Sequence, residues 1–248
     1  MSAYETFASV YDLFMEQVEY DEWLDHIHAV WKKYGITPKT ILDLGCGTGS
    51  ILLPLAQEGF DVIGVDLSPE MLTEADHKAM EAGVSVRLAC QDMTELDLGE
   101  QADCILSLCD CMNYLIEDGQ LESAFQSIAA HMKKESLFLF DMNTEYKFRE
   151  VLGQRAFGSA EEAAAYIWEN DYDEEEKINE YYVSFFIEQE NGLYERVEEY
   201  HYERAYSIEE IEQTLQAAGL ALLEVTDGYS FAKPHEKSER LLFAARLK

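Results

Sequence analysis

Apolar residues recur at three- and four-residue spacing in two stretches near the start of the chain. The first is Phe7, Val10, Tyr11, Phe14 and Val18, and the second is Trp23, Leu24, Ile27, Val30 and Trp31. This spacing predicts two amphipathic helices joined near residues 17–20. From residue 40 the pattern changes to short apolar runs separated by helical periodicity. Residues 40–44, 61–65, 84–90, 102–108 and 136–141 read as buried strands, with helices predicted over 49–57, 69–81 and 118–132. Strands that alternate with helices in this way build a mostly parallel sheet covered on both faces.

The alternation breaks between residues 145 and 206. Three β-rich runs, 165–172, 178–187 and 193–206, are separated by Asp173-Glu174-Glu175-Glu176 and by Asn191-Gly192, a strong hairpin signal. They predict an antiparallel three-stranded flap whose aromatic residues are mostly core. The earlier pattern resumes at Ser207-x-x-Glu210, a capping box for a helix that stops at Gly219, followed by strands over 220–226 and 240–247. The expected organisation is a helical cover over 1–36, an α/β domain from 37–144 and 207–248, and an inserted flap over 145–206.

Composition narrows the partners. Fifty Asp and Glu against 18 Lys and Arg give a formal charge of −32. Such a surface repels phosphate backbones and anionic membrane faces, so nucleic acid and membrane are excluded as partners. It suits solubility, and it also attracts cationic ligands. No apolar run is long enough to cross a membrane, and the first residues lack a secretory signal. Five cysteines beside apolar segments fit a reducing, cytoplasmic setting. Cys109-x-Cys111 has the wrong spacing for zinc, so no metal site is expected.

The candidate chemistry lies where the first strand meets Gly45-Cys46-Gly47-Thr48-Gly49. Glycines serve where backbone must approach a ligand without a Cβ in the way. A dinucleotide turn has the spacing G-x-G-x-x-G/A, but here the spacing is G-x-G-x-G with Ser50 next, and the P-loop lysine is missing. Asp43, two residues before the first glycine, would crowd a diphosphate but suits an ammonium group. Asp66 ends the second strand 17 residues after Gly49, near the separation expected of a ribose-binding carboxylate.

With Asp43-x-Gly45-x-Gly47-x-Gly49, the chain resembles the class I S-adenosylmethionine-dependent methyltransferases. The resemblance implies a Rossmann-like, seven-stranded sheet of order 3-2-1-4-5-7-6. It also implies that Gly45, Cys46 and Gly47 cradle the cofactor S-adenosyl-L-methionine, a net cation. Asp66 would hold the ribose hydroxyls, Leu67 and Leu108 would border the adenosine, and Asp92-Met93 would clamp the adenine. Tyr4, Tyr11 or Tyr20 would reach the methionine end. Asp110, Asn113 and Tyr114 would face the transferable methyl, with Asn143 lining the substrate cavity. Asp110, Tyr11 and Tyr114 are the candidates for a base, if one is needed. His131 reads as a packed helix-end histidine.

The expected activity is methyl transfer to a nitrogen or oxygen nucleophile of a small molecule, cationic in one reading. The alternatives are a basic protein or peptide as acceptor, or a non-catalytic cofactor-binding scaffold. Either a monomer or a homodimer is compatible with the flap's free edge.

Overall fold

A computed structural model describes residues 11, 12, 15, 18–160, 164–189 and 191–248. Tyr4 and most of the first predicted helix lie outside the described residues. The second forms as α1 (Tyr20–Tyr34), whose Leu24, Ile27, Val30 and Trp31 are buried, and Gly35 ends it in the left-handed conformation.

The main sheet contains β1 (Thr40–Leu44), β2 (Asp61–Asp66), β3 (Arg87–Cys90), β4 (Ala102–Ser107) and β5 (Met132–Asn143), all parallel. Between β1 and β3 come α2 (Leu52–Gln57) and α3 (Pro69–Ala82), and α4 (Gln120–Ala130) precedes β5. A second sheet follows, of β6 (Ala156–Ala160), β7 (Ala164–Asp173), β8 (Ile178–Glu188) and β9 (Tyr194–Arg204). The chain then returns through α5 (Ile208–Ala217) and β10 (Leu220–Asp227) to β11 (Arg240–Leu247), which lies antiparallel between β5 and β10. The order in the main sheet is β10-β11-β5-β4-β1-β2-β3. Counted along the chain within this sheet and read from the β3 edge, that is 3-2-1-4-5-7-6.

Both faces of the sheet are buried. On one, Leu121, Phe125 and Ile128 of α4 and Ile211 and Leu215 of α5 pack on Phe138, Phe140 and Phe243. The Phe140 and Phe243 rings stack 4.8 Å apart. On the other, Leu24 and Ile27 of α1 and Leu52 and Leu55 of α2 pack on Ile41, Leu106 and Leu139. Among the described residues, no helix is long and apolar enough to cross a membrane.

Several elements depart from the sequence expectation. The second sheet has four strands, because the small-residue run Ala156–Ala160 pairs antiparallel with β7. α2 begins at Leu52, three residues later than the expected Gly49, since the preceding residues complete the glycine turn. β3 occupies only Arg87–Cys90. Gly119, not Asp118, stands at the start of α4, with no side-chain cap. The short helix predicted over about 144–152 does form, as a π-helical segment, Lys147–Leu152, that joins the two sheets, and its Phe148 and Leu152 pack against Tyr172 and Tyr181.

The candidate active site

The first wall of the site is the turn after β1. Gly45, Gly47 and Gly49 all have positive φ (72°, 52° and 88°). The Gly45 and Cys46 N–H groups both donate to the Val65 carbonyl, at 2.8 and 3.0 Å, which pins the turn to the tip of β2. A Cβ on Gly45 would lie 2.4 Å from Cys111 Sγ, so the loop after β4 is seated directly against bare backbone. At Gly47 an added Cβ would meet nothing within 4 Å; that position faces open space.

Asp66 organises the floor. Its Oδ2 accepts from Gly47 N at 2.8 Å and its Oδ1 from Ser68 N at 2.9 Å. Each carboxylate oxygen has a second lone pair, so two acceptor directions remain for a diol. Asp43 is buried, and its pKa is raised to about 7, chiefly by burial and then by the Asp66 charge. Asp92 also makes local hydrogen bonds. It is exposed, and its Oδ1 accepts from both Thr94 N and Thr94 Oγ1 at 2.8 Å, capping the short 3-10 turn at Met93–Glu95.

These elements enclose a cavity of about 370 Å³. Its lining includes Gly45, Gly47, Asp66, Leu67 and Met93 from the glycine turn and the tips of β2 and β3, and Tyr11, Cys111, Tyr114 and His201. A smaller recess of about 40 Å³ lies beside it, lined by Tyr11, Tyr20, Asp43, Cys46, Leu108 and others. The turn, Asp66, Leu67 and Met93 thus share one cavity with Tyr11 and Tyr114. Asp92 and Asp110 do not line it.

Asp110 belongs instead to a charged network behind the cavity. Arg240 bridges Asp110 Oδ1 (2.6 Å) and Asp141 Oδ2 (2.9 Å), and Tyr229 Oη donates to the same Asp141 oxygen at 2.5 Å. Burial opposes the Asp110 charge, but Arg240 and Lys147 outweigh it and hold its pKa below the ordinary carboxylate range. An acid so firmly ionised and so tightly paired is a poor proton acceptor. Glu203 on β9 hydrogen-bonds Asp110, Asn143 and Tyr181, and burial together with the Asp110 charge pushes it well above the usual range. Glu203 is therefore the protonated member, donating to Asp110.

Asn113 and Asn143 are also buried and structural. Asn113 Nδ2 donates to the carbonyls of Asn143 (3.1 Å) and Arg204 (2.8 Å), while its Oδ1 accepts from Asn143 N. Together they join β5 to the end of β9. His131 accepts from Leu98 N through Nε2 and packs at the end of α4.

Sequence reasoning missed Arg240, Tyr229, Glu203 and His201. The last two alternate with exposed residues along β9: Val197, Glu199 and Glu203 are buried, whereas Tyr200 and Tyr202 are exposed. That alternation was available in the sequence, but inward glutamates and a histidine do not read as an inner face.

The fold and the turn have close counterparts. The sequence pattern of the family described as a methyltransferase domain matches residues 41–135. A protein of Geobacillus sp. (strain WCH70), named as a methyltransferase without a stated substrate, is 38% identical over 98% of this chain and 99% of its own length. The crystal structure of an S-adenosylmethionine-dependent methyltransferase from Clostridium acetobutylicum ATCC 824 superposes with a TM-score of 0.89, at 35% identity over 98% of each chain. A dTDP-3-amino-3,4,6-trideoxy-alpha-D-glucopyranose N,N-dimethyltransferase of Streptomyces venezuelae is 30% identical over 51% of this chain and 52% of its own.

Proposed function

The chain belongs to the class I S-adenosylmethionine-dependent methyltransferases, and on that premise we propose that it methylates a nitrogen or oxygen nucleophile of a small molecule. S-adenosyl-L-methionine is its cofactor, and when bound it supplies a methyl group on a sulfonium, whose leaving group is neutral and good. The protein's task is then to hold the acceptor in line and to exclude water, and such positioning supplies ~7–11 kcal/mol in favourable cases.

The observation that carries the small-molecule reading is the shared cavity. Glycine turn, Asp66 and the flap's own His201 line one space, which supports an acceptor held between the main sheet and the flap. Asp66 would hold the ribose hydroxyls, and Leu67 and Met93 would flank the adenine. Asp43, Gly45, Cys46 and Gly47 would receive the amino-acid end, with Tyr11 and Leu108 beside them. The Streptomyces relative named for an amino sugar supports a small acceptor.

The test is transfer of labelled methyl from S-adenosylmethionine to a pooled metabolite extract, beside histones as the basic-protein arm. Calorimetric titration with S-adenosylhomocysteine and NAD runs in parallel. Label in small molecules with nucleoside binding supports the reading. Label only in histones assigns a protein acceptor, and binding without transfer to either assigns a scaffold.

A further inference from the structure

We propose that a cavity at the far end of the main sheet from the glycine turn binds the phosphate group of a small molecule, held by Arg246 and Lys134. This site lies apart from the cavity beside Asp66 and does not depend on the methyltransferase reading.

The cavity arises from the way β5 begins. Ala102 pairs with Met132 and Cys104 with Leu137, so the single residue Asp103 on β4 stands opposite four on β5, Lys133–Ser136. The surplus bulges out of the ladder. Ser136 fixes the bulge, for its Oγ accepts from Lys133 N at 2.8 Å and donates to the Ala102 carbonyl at 2.5 Å. β11 pairs with β5 only as far as Ala245 and Phe138, which leaves Arg246 beyond the last pair. Together with residues 34–38, which lead from α1 into β1, Asp103, the bulge and Arg246 enclose about 460 Å³. This is the end of the sheet where β1, β4 and β5 start, whereas the glycine turn follows the end of β1.

Arg246 is the anomaly. Acidic residues outnumber Lys and Arg by 50 to 18 in this chain. Even so, Arg246 is in no ion pair among the described residues, and its buried Nε has no hydrogen-bond partner. A buried donor of this kind is the exception in folded proteins, and a ligand oxygen would satisfy it. The guanidinium rests 5.8 Å from the centre of the Tyr34 ring, which helps to hold it in place. The acid that reaches the same tyrosine, Glu224, is taken up by Lys33 and by Tyr34 Oη. Lys134, exposed in the lining, likewise has no carboxylate partner among the described residues. Lys133 is already committed: its Nζ lies 2.6 Å from Asp103 Oδ1, and Asp103 Oδ2 accepts from Lys39 N and Thr40 N at 3.0 Å. The cavity lined by Arg204 shows the opposite case, for there the cation faces Glu117, Asp118, Glu122 and Glu210.

The two free cations suit phosphate better than carboxylate. A planar guanidinium donates two parallel N–H groups to one oxyanion, and an ammonium adds a point charge on a flexible stem. Arg246 alone would satisfy a carboxylate. A phosphate monoester, with more than one negative charge and three acceptor oxygens, engages Arg246 and Lys134 together. The volume is that of a small-molecule site rather than of a lone ion. Glu135 in the lining and the carboxyl end of α1 both oppose an anion. The overall charge of −32 opposes it too, so binding depends on direct contact with these two side chains and not on a general attraction.

Calorimetric titration at fixed ionic strength with inorganic phosphate, ribose 5-phosphate and succinate tests the site. Ribose 5-phosphate should bind saturably and tighter than inorganic phosphate, and succinate more weakly than either. Arg246→Met and Lys134→Met should each weaken ribose 5-phosphate binding about tenfold, the worth of one hydrogen bond to a charged group. Arg149→Met makes the same change of net charge elsewhere on the surface and should leave that affinity unaltered. Thermal melts show that the variants fold. Saturation with S-adenosylhomocysteine should not displace ribose 5-phosphate. No saturable heat with either phosphate, equal weakening by Arg149→Met, or displacement by S-adenosylhomocysteine overturns the proposal. Succinate binding as tightly as ribose 5-phosphate overturns the choice of phosphate, and inorganic phosphate binding as tightly overturns the choice of an ester.

Discussion

Arg240 Nη2 lies 2.6 Å from Asp110 Oδ1, although the two residues are 130 apart in the chain. Arg240 also holds Asp141, which is wholly buried at the end of β5. Asp141 Oδ1 in turn accepts from Asp110 N at 2.7 Å. The arrangement explains an unusual backbone, for Cys109 and Asp110 are consecutive non-glycine residues with φ of 59° and 55°. Such conformations cost of order 1–3 kcal/mol each and persist only when surrounding contacts over-determine them. Here Arg240 and Asp141 supply those contacts and set the loop that meets the glycine turn.

Arg240→Leu should therefore destabilise the protein by about 3 kcal/mol, since it leaves two acids partly or wholly buried without their cation. Urea denaturation at neutral pH measures the loss. Nucleoside affinity should fall as well, because the 109–111 loop is released. A melting curve identical to the wild type would show the network to be dispensable.

Gly45→Ala should abolish nucleoside binding. Its Cβ would sit 2.4 Å from Cys111 Sγ and 3.0 Å from Cys111 Cβ, at a φ of 72° that alanine adopts poorly. The turn or the 109–111 loop must move. The double change Gly45→Ala with Cys111→Gly removes the clash and leaves only the φ strain, so it should recover part of the affinity. Calorimetry with S-adenosylhomocysteine reads both variants. Equal loss in the single and double variants would assign the whole defect to backbone strain.

Asp66→Ala should reduce stability and affinity together. The carboxylate accepts from Gly47 N and Ser68 N before any ligand arrives. Losing two charge-assisted hydrogen bonds at a half-buried site costs about 1–3 kcal/mol. The loss in S-adenosylhomocysteine affinity should exceed the loss in stability, since the variant also lacks the acceptors for the ribose diol. Thermal melts beside calorimetric titration separate the two quantities. Lower stability with unchanged affinity would make Asp66 purely a support of the turn.

The sheet was legible in the sequence because its cues are local: apolar runs of strand length, a glycine turn, a capping box at Ser207 and Glu210 that both form as expected. β6 was missed because Ala156, Gly158, Ser159 and Ala160 lack strand propensity, and only pairing with β7 makes the strand. The charged network was illegible for another reason. Nothing near Asp110 in the sequence announces Arg240 or Glu203, which reach it from strands far along the chain. Asp110 looked like a free acid at a strand tip, and folding gives it a partner. His201 was hidden by the polar character of the inner face of β9.

Asp43 makes the site sensitive to pH in a direction opposite to an ordinary ion-paired carboxylate. Its pKa is raised to about 7, first by burial and then by Asp66, against about 4 in the unfolded chain. The folded state binds the proton more tightly, so Asp43 makes the ligand-free protein less stable as pH rises from about 4 to about 7, with no further change above. A ligand ammonium in the recess lined by Asp43 and Gly47 favours the ionised carboxylate instead. Binding of S-adenosylhomocysteine should then expel a proton near pH 7, and affinity should climb with pH up to about 7. Calorimetry in two buffers of different ionisation enthalpy counts the released proton. Asp43→Asn should abolish the release, flatten the pH dependence and weaken binding, while making the ligand-free protein no less stable above pH 7. Binding that expels no proton between pH 6 and 7 would mean that no cation approaches Asp43, and the amino-acid end of the cofactor would have to lie elsewhere.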